Sequence, residues 1–290
     1  MARFSQVMPS CRITHGGIST MNSYWIAPAV ALSYFGSTAV LLWRAWRMLN
    51  GRPAGKAGAL TLAAAGFVLH TLMLSPVLAQ ASLHLGFSGV ILLMGWQLVL
   101  LLLLGSMRAP LENLGILLFP ILAISVLLYR PHATGATGTV ASGPVELHIL
   151  TASIAYSLVI LAGAQAILLM IQNHLLHRHR TNGIVRVFPP LQTMERLLFQ
   201  LIGLAFFVLS LALLSGMVFV EHLFAQHLVH KTVLSILAWI ILGMLLWGHH
   251  RFGWRGKVAV RWTLSGGAVL TMGYFGSKFV LETLLGRQWG

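Results

Sequence analysis

HKTVLSILAWIILGMLLWGHHRFGWRG, residues 230–256, decides the fold. Lys231 opens it, and sixteen mostly apolar residues follow from Thr232 to Trp247. His249-His250-Arg251 and Gly253-Trp254-Arg255-Gly256 close it, with no acidic residue anywhere. A helix this apolar belongs in lipid, and its basic end belongs on the cytoplasmic side. His230 and Lys231 then stand at the opposite face.

The rest of the chain agrees. Of its 290 residues 57% are hydrophobic and 8% charged, with mean hydropathy +0.83, against about a quarter charged in soluble domains. The net charge of +14 could suggest nucleic acid. Its Lys and Arg instead sit in short clusters at the ends of apolar runs, where positive charge sets membrane topology, so nucleic acid is not an expected partner. One cysteine, Cys11, excludes internal disulfides, thiolate metal sites and iron–sulfur clusters, and no C-x-x-C-H is present for covalent haem. Five acidic residues, all Glu, leave almost no material for paired-carboxylate or phosphate–magnesium chemistry, and no enzymatic turnover is expected. Thirteen histidines are the one abundance that asks for a chemical reason.

Eight spans are expected, at about 24–43, 58–78, 84–104, 111–129, 147–173, 197–220, 232–248 and 261–285. The fold class is therefore an all-α polytopic membrane bundle, a single domain over 21–290. Residues 1–20 lack a signal-peptide core and read as a disordered tail. Odd-numbered connections hold thirteen Lys and Arg, including Arg44, Lys56, Arg108, Arg196, Arg251, Arg255, Lys257 and Arg261. Even-numbered ones hold two, Arg130 and Lys231. The bias predicts both termini in the periplasm, with Arg251, Arg255 and Lys257 acting as anchors. Residues 130–146 read as an irregular outer loop. Pro189-Pro190 and the face Leu191, Met194, Leu197, Leu198 read as a short interfacial helix before the sixth span.

With this topology the histidines sort by side. His84, His132, His148, His222, His227 and His230 fall at or near the outer face. His70 lies inside the second span, roughly 18 Å from Gly58 at about 1.5 Å per residue. His174, His177, His179, His249 and His250 are inner, where a solvated cationic face is the expected role. The outer group exceeds what anchoring needs. Imidazole is a common axial ligand of haem iron; helices supply an apolar slot, and Lys231 and Arg130 could face propionates. An all-histidine zinc or iron site is the less natural use. His148, Ala152, Ala155 and Tyr156 share one side of the fifth span, with room for a flat ligand or a closely packed helix.

The run Val145-Glu-Leu-His148-Ile-Leu-Thr-Ala-Ser-Ile-Ala-Tyr156 resembles a span of the cytochrome c assembly family, with its CcsA, CcmC and HemX branches. Pro189-Pro-Leu-Gln-Thr-Met-Glu195-Arg, Leu214-Ser-Gly216-Met, Lys231-Thr-Val-Leu-Ser-Ile-Leu-Ala-Trp239, Gly253-Trp-Arg-Gly256 and Tyr274-Phe-Gly276-Ser continue the likeness. It is similar above all to the YpjD-type inner-membrane proteins, over residues 60–283 and most specifically from 145 onward. The resemblance implies a multi-spanning protein of the bacterial cytoplasmic membrane that handles haem at the outer face for delivery to apocytochrome c. It puts His148 at the first outer haem-ligand position and His70 at the second-span histidine of the YpjD-like branch. Lys231 and Trp239 fall on the penultimate-span signature. The family's W-G-x-x-W-x-W-D platform is absent: residues 221–231 read EHLFAQHLVHK. Trp247 stands where CcsA-type members have a membrane histidine, and no histidine follows the last span.

The resulting expectation is non-covalent haem b held near the outer face. His148 is the first ligand, His70 its partner, and His84, His222 and His230 stand behind them with Lys231 as the cation. Expected partners are the bilayer and haem-delivery or cytochrome c maturation proteins. One rival is a membrane scaffold or regulator of the same fold without haem. Another is a small-solute or metal transporter, which the lack of internal repeats and membrane carboxylates disfavours.

Overall fold

The computed structural model describes residues 16–78, 83–84, 87–129, 140–141, 143–177, 187–219 and 229–276. Eight helices run through them: α1 Gly16–Leu49, α2 Ala57–Leu78, α3 Phe87–Arg108, α4 Gly115–Leu127, α5 Pro144–His177, α6 Leu191–Phe219, α7 Val229–Phe252 and α8 Gly256–Thr271. A 3₁₀ turn, Glu112–Leu114, leads into α4, and a π turn, Met272–Gly276, continues α8. Stretches of α1, α2, α3, α5, α6 and α7 are long and apolar enough to cross a bilayer. Glu112–Leu127 and the sixteen-residue α8 are shorter. The chain is a polytopic helical membrane bundle, as expected, with one helix at each expected span.

Two halves share one core. α1 packs on α2 and α4, while α5 packs on α6, α8 and α3. Helices in lipid gain little from burying apolar surface against each other, so close packing and interhelical hydrogen bonds hold the bundle. Ser37 Oγ donates to the Ala59 carbonyl at 2.8 Å, joining α1 to α2, and Trp96 Nε1 to Thr71 Oγ1 at 2.8 Å, joining α3 to α2. Gln97 Nε2 donates to Ser153 Oγ at 2.9 Å, and Ser157 Oγ to the Met94 carbonyl at 3.1 Å, joining α3 to α5. Gln165 Nε2 reaches the Met194 carbonyl at 3.0 Å and Gln172 Nε2 the Pro189 carbonyl at 2.8 Å, tying α5 to the start of α6. Trp239 Nε1 donates to Ser210 Oγ at 2.8 Å while its ring stacks on Phe206, joining α7 to α6. Outward faces carry exposed Leu32, Val68, Leu72, Ile121, Phe207 and Ile240, which suit lipid.

Three expectations change. The segment from Leu191 to Leu198 is not a separate interfacial helix but the first turns of the 29-residue α6. Its apolar face is real, but Met194, Leu197 and Leu198 are buried in the core, because Gln165 and Gln172 pull this end onto α5. His84 does not open the third span, which begins at Phe87. It lies in a two-residue strand, Leu83–His84, paired antiparallel with Val140–Ala141. The loop at 130–146 therefore holds a strand at its end. Residues 1–15 of the expected tail lie outside the described residues, and α1 begins at Gly16.

Among the described residues the basic clusters lie at the helix ends joined around Glu112 and Glu195, so the charge bias gives a testable orientation. Reporter fusions after residues 53 and 181 should register cytoplasm, and fusions after 138 and 290 periplasm. A cytoplasmic signal from the fusion at 290 would overturn the even number of crossings.

Candidate functional site

At the end opposite the basic clusters, the first turns of α5 meet the last turns of α6. His148 is half-buried there, and its Nδ1 lies 3.0 Å from Ser215 Oγ. Ser215 Oγ itself donates to the Ala212 carbonyl at 2.9 Å. The serine hydroxyl has one proton, so it accepts from His148. Nδ1 donates to Ser215, and the Ala212 carbonyl is a second acceptor for the ring, so two partners orient this histidine. The ring lies against Gly216, where a Cβ would stand 3.0 Å from His148 Cε1. Ser215 and Gly216 belong to the Leu214–Met217 run, and the structure gives that run a physical purpose: one residue holds the ring by a hydrogen bond, the next makes room for it.

A second group lies at the same end. Lys231 Nζ sits 5.7 Å from the centroid of the Tyr274 ring, within reach of a cation–π attraction. Tyr274 packs edge-on against Tyr156 at 5.6 Å, and Tyr156 Oη donates to the Leu270 carbonyl at 3.1 Å. Leu234 lies where a Cβ on Gly273 would come within 3.1 Å. Thus α5, α7, α8 and the π turn are bound together beside His148. Tyr156 was placed on the His148 side of α5 by spacing, whereas the partnership with Tyr274 joins residues too far apart in sequence to be foreseen.

His70 is placed differently. It is fully buried in α2, shares a 3.0 Å hydrogen bond between Nδ1 and Tyr34 Oη, and meets that ring edge-on. Gly66, one turn earlier, admits Tyr34: a Cβ there would come within 2.7 Å of the tyrosine ring. On the other side Tyr34 stacks on Phe119 at 5.8 Å. Gly95 lies against His70 Cε1, next to Leu122. His70 Nε2 makes no well-aligned hydrogen bond among the described residues, and the Leu92 carbonyl is the acceptor that interacts with the ring. No described contact joins His70 to His148. The His84 backbone lies in the strand beside Val140, shortly before α5 begins, and His230 lies in the first turn of α7. Both side chains, with His222 and Arg130, fall outside the described residues. Among the described residues no three His, Cys, Asp or Glu side chains gather as a metal site.

The remaining motifs meet at the basic end. Gly253 (φ 68°) ends α7 and Gly256 (φ 55°) starts α8, so the connection turns in the left-handed region that glycine adopts without strain. Glu195 Oε1 accepts the Gly256 N–H at 2.9 Å. His249 stacks on Phe199 at 3.5 Å and donates from Nδ1 to the Trp254 carbonyl at 2.8 Å. Trp247, the position of the membrane histidine in CcsA-type proteins, is 60% exposed and turned outward.

Residues 54–285 match the family described as Cytochrome C assembly protein. Inner membrane protein YpjD of Escherichia coli K12 is 32% identical over 178 residues, which cover 60% of this chain and 67% of the relative. An uncharacterized 28.8 kDa protein in a nifR3-like 5' region of Azospirillum brasilense is 34% identical over 144 residues, 49% of this chain and 53% of the relative. With a match over most of its length, and with the separate motifs meeting at the two ends of one bundle, the chain belongs to the cytochrome c assembly protein family.

Proposed function

We propose that this protein of the bacterial cytoplasmic membrane holds haem b non-covalently at the end of the bundle where α5 and α6 meet, in the service of cytochrome c biogenesis. It binds or passes on the group and does not turn it over. The observation that carries the reading is His148 at the head of α5: Ser215 holds its Nδ1, and its ring is packed on Gly216. This donor set fits haem iron, which takes a neutral imidazole. Lys231, on the neighbouring helix, is the cation for a propionate. Haem, when bound, would supply a redox-active iron centre, held by His148 together with another histidine. The sequence nominates His70, but its ring is closed in by Tyr34 and Gly95, so ligation from it requires the α1–α4 half to part. His84, His222 and His230 are the alternatives at the His148 end.

The test is the absorption spectrum of the detergent-purified protein with and without added haem b. A sharp, saturable low-spin spectrum supports the proposal; a folded, monodisperse protein that stays colourless refutes it. The second reading is a membrane scaffold or regulator of the same fold, acting through cytochrome c maturation proteins. The closed surroundings of His70 favour it. Under that reading, His70→Phe would change stability through the unpaired Tyr34 hydroxyl and leave any haem spectrum untouched.

A further inference from the structure

At the basic end, away from His148, α5, α6 and α8 enclose a cavity of about 440 Å³. Its floor is apolar, with Leu169 and Met170 on α5 and Val260 on α8. Its mouth carries the cations Lys257 and Arg261 on α8, with His174 on α5 at its rim. Lys257 and Arg261 are four residues apart on one helix, so their side chains leave the same face and converge. Glu195 is the one carboxylate in the wall, and one of its oxygens is committed to the Gly256 N–H. Among the described residues the ion pairs all involve Glu112, far along the same end, so neither Lys257 nor Arg261 has a carboxylate at pairing distance.

We propose that this cavity is a binding site for an anionic phospholipid. Lys257 and Arg261 hold the phosphate, with His174 at the rim, and the glycerol and first acyl carbons lie on Leu169, Met170 and Val260. The combination decides the ligand class. Two converging cations with no carboxylate at pairing distance call for an anion, and Arg in particular suits the oxygens of a phosphate. An apolar floor at the membrane boundary calls for hydrocarbon joined to that anion. Basic pockets between membrane helices are where such headgroups bind. The cavity volume suits a headgroup and the root of its chains, while the chains themselves run down the apolar outside of the bundle.

The test uses full-length protein in neutral detergent, titrated with phosphatidylglycerol, phosphatidylcholine or inorganic phosphate. Binding is read by native mass spectrometry and by the thermal midpoint of intrinsic tryptophan fluorescence. Phosphatidylglycerol should stay bound and raise the midpoint saturably, while phosphatidylcholine and free phosphate at the same concentration should not. The Lys257→Gln/Arg261→Gln variant should need about tenfold more phosphatidylglycerol for the same effect. The charge-preserving Lys257→Arg should bind as the wild type does. Arg251→Gln removes a charge at the same end but lines no part of this cavity, and should also bind as the wild type does. Equal stabilisation by phosphatidylcholine would show general lipid contact and overturn the proposal. Equal stabilisation by free phosphate would show a simple ion site, and an equal loss in Arg251→Gln would show diffuse surface charge; each also overturns it. If the double variant does not fold, the three wild-type titrations decide alone.

Discussion

His148→Ala should convert the haem-loaded protein from a six-coordinate low-spin to a five-coordinate spectrum and cut haem retention by about tenfold or more. The expectation rests on geometry at one ring. Ser215 holds Nδ1, which points to Nε2 as the nitrogen for iron. Removing the ring removes the ligand, and added imidazole should restore part of the low-spin bands by supplying the missing nitrogen. Ser215→Ala should act more gently, since the imidazole remains but loses its orienting partner; losses of about tenfold in affinity are usual for such partners. Gly216→Val should displace the ring by steric contact, because even a Cβ at this position stands 3.0 Å from it. His174→Ala, at the basic end, is the control and should leave the haem spectrum unchanged. His70→Ala, His84→Ala, His222→Ala and His230→Ala then identify the second ligand by the same spectral criterion. If His148→Ala and the wild type take up haem with the same low-spin spectrum, His148 is not the ligand and the site lies elsewhere.

The helices were legible because each is written as a long apolar run with basic residues at one end, and Gly253 marks the end of α7 in the way its left-handed φ requires. Boundaries and partners were less legible. The start of α6 reads as amphipathic because its apolar face is narrow, but whether such a face meets lipid or protein depends on Gln165 and Gln172 of α5, whose side chains reach back to it. His84 reads as a helix start because apolar residues follow; backbone pairing with Val140, far away in the chain, places it in a strand. At the site, His148 was evident from its place at the head of a span. Ser215, which holds its Nδ1, lies 67 residues later and carries no local mark of that role. His70 reads as lying inside the second span and is buried in the bundle, yet its partner Tyr34 lies 36 residues earlier on a helix whose neighbours only the fold reveals. Spacing reports which residues share a helix face, and it is silent about which faces meet.

Glu112→Ala should destabilise the protein by about 3 kcal/mol, toward the lower end of what breaking a buried ion pair costs. Glu112 is 4% exposed in the 3₁₀ turn before α4. Its carboxylate lies 3.5 Å from Arg44 Nη2 on α1 and 3.6 Å from Lys56 Nζ just before α2. Arg44 also donates to Asn113 Oδ1 at 3.1 Å and to the Ala54 carbonyl at 3.2 Å, and Asn113 Nδ2 donates to the Val187 carbonyl at 3.2 Å. Lys56 Nζ reaches the Ser106 carbonyl at 2.7 Å. One carboxylate thus gathers the ends of four helices and the approach to α6. Without it, the Arg44 charge, only 12% exposed at its side chain, loses its counter-ion but keeps two oxygen partners. Those remaining bonds, and the 41% exposure of Lys56, hold the loss below the full cost of an orphaned buried charge. The thermal midpoint in detergent should fall by several degrees for Glu112→Ala and by less for Glu112→Gln, which keeps an oxygen for Arg44. The Arg44→Ala/Glu112→Ala double variant should lose less than the two single losses combined, because each single change strands the other partner. Strict additivity in that cycle, or a Glu112→Ala midpoint indistinguishable from wild type, would mean the basic end is held by its carbonyl contacts alone. The same cycle should leave haem binding at the far end unchanged, since none of these residues touches His148 or its partners.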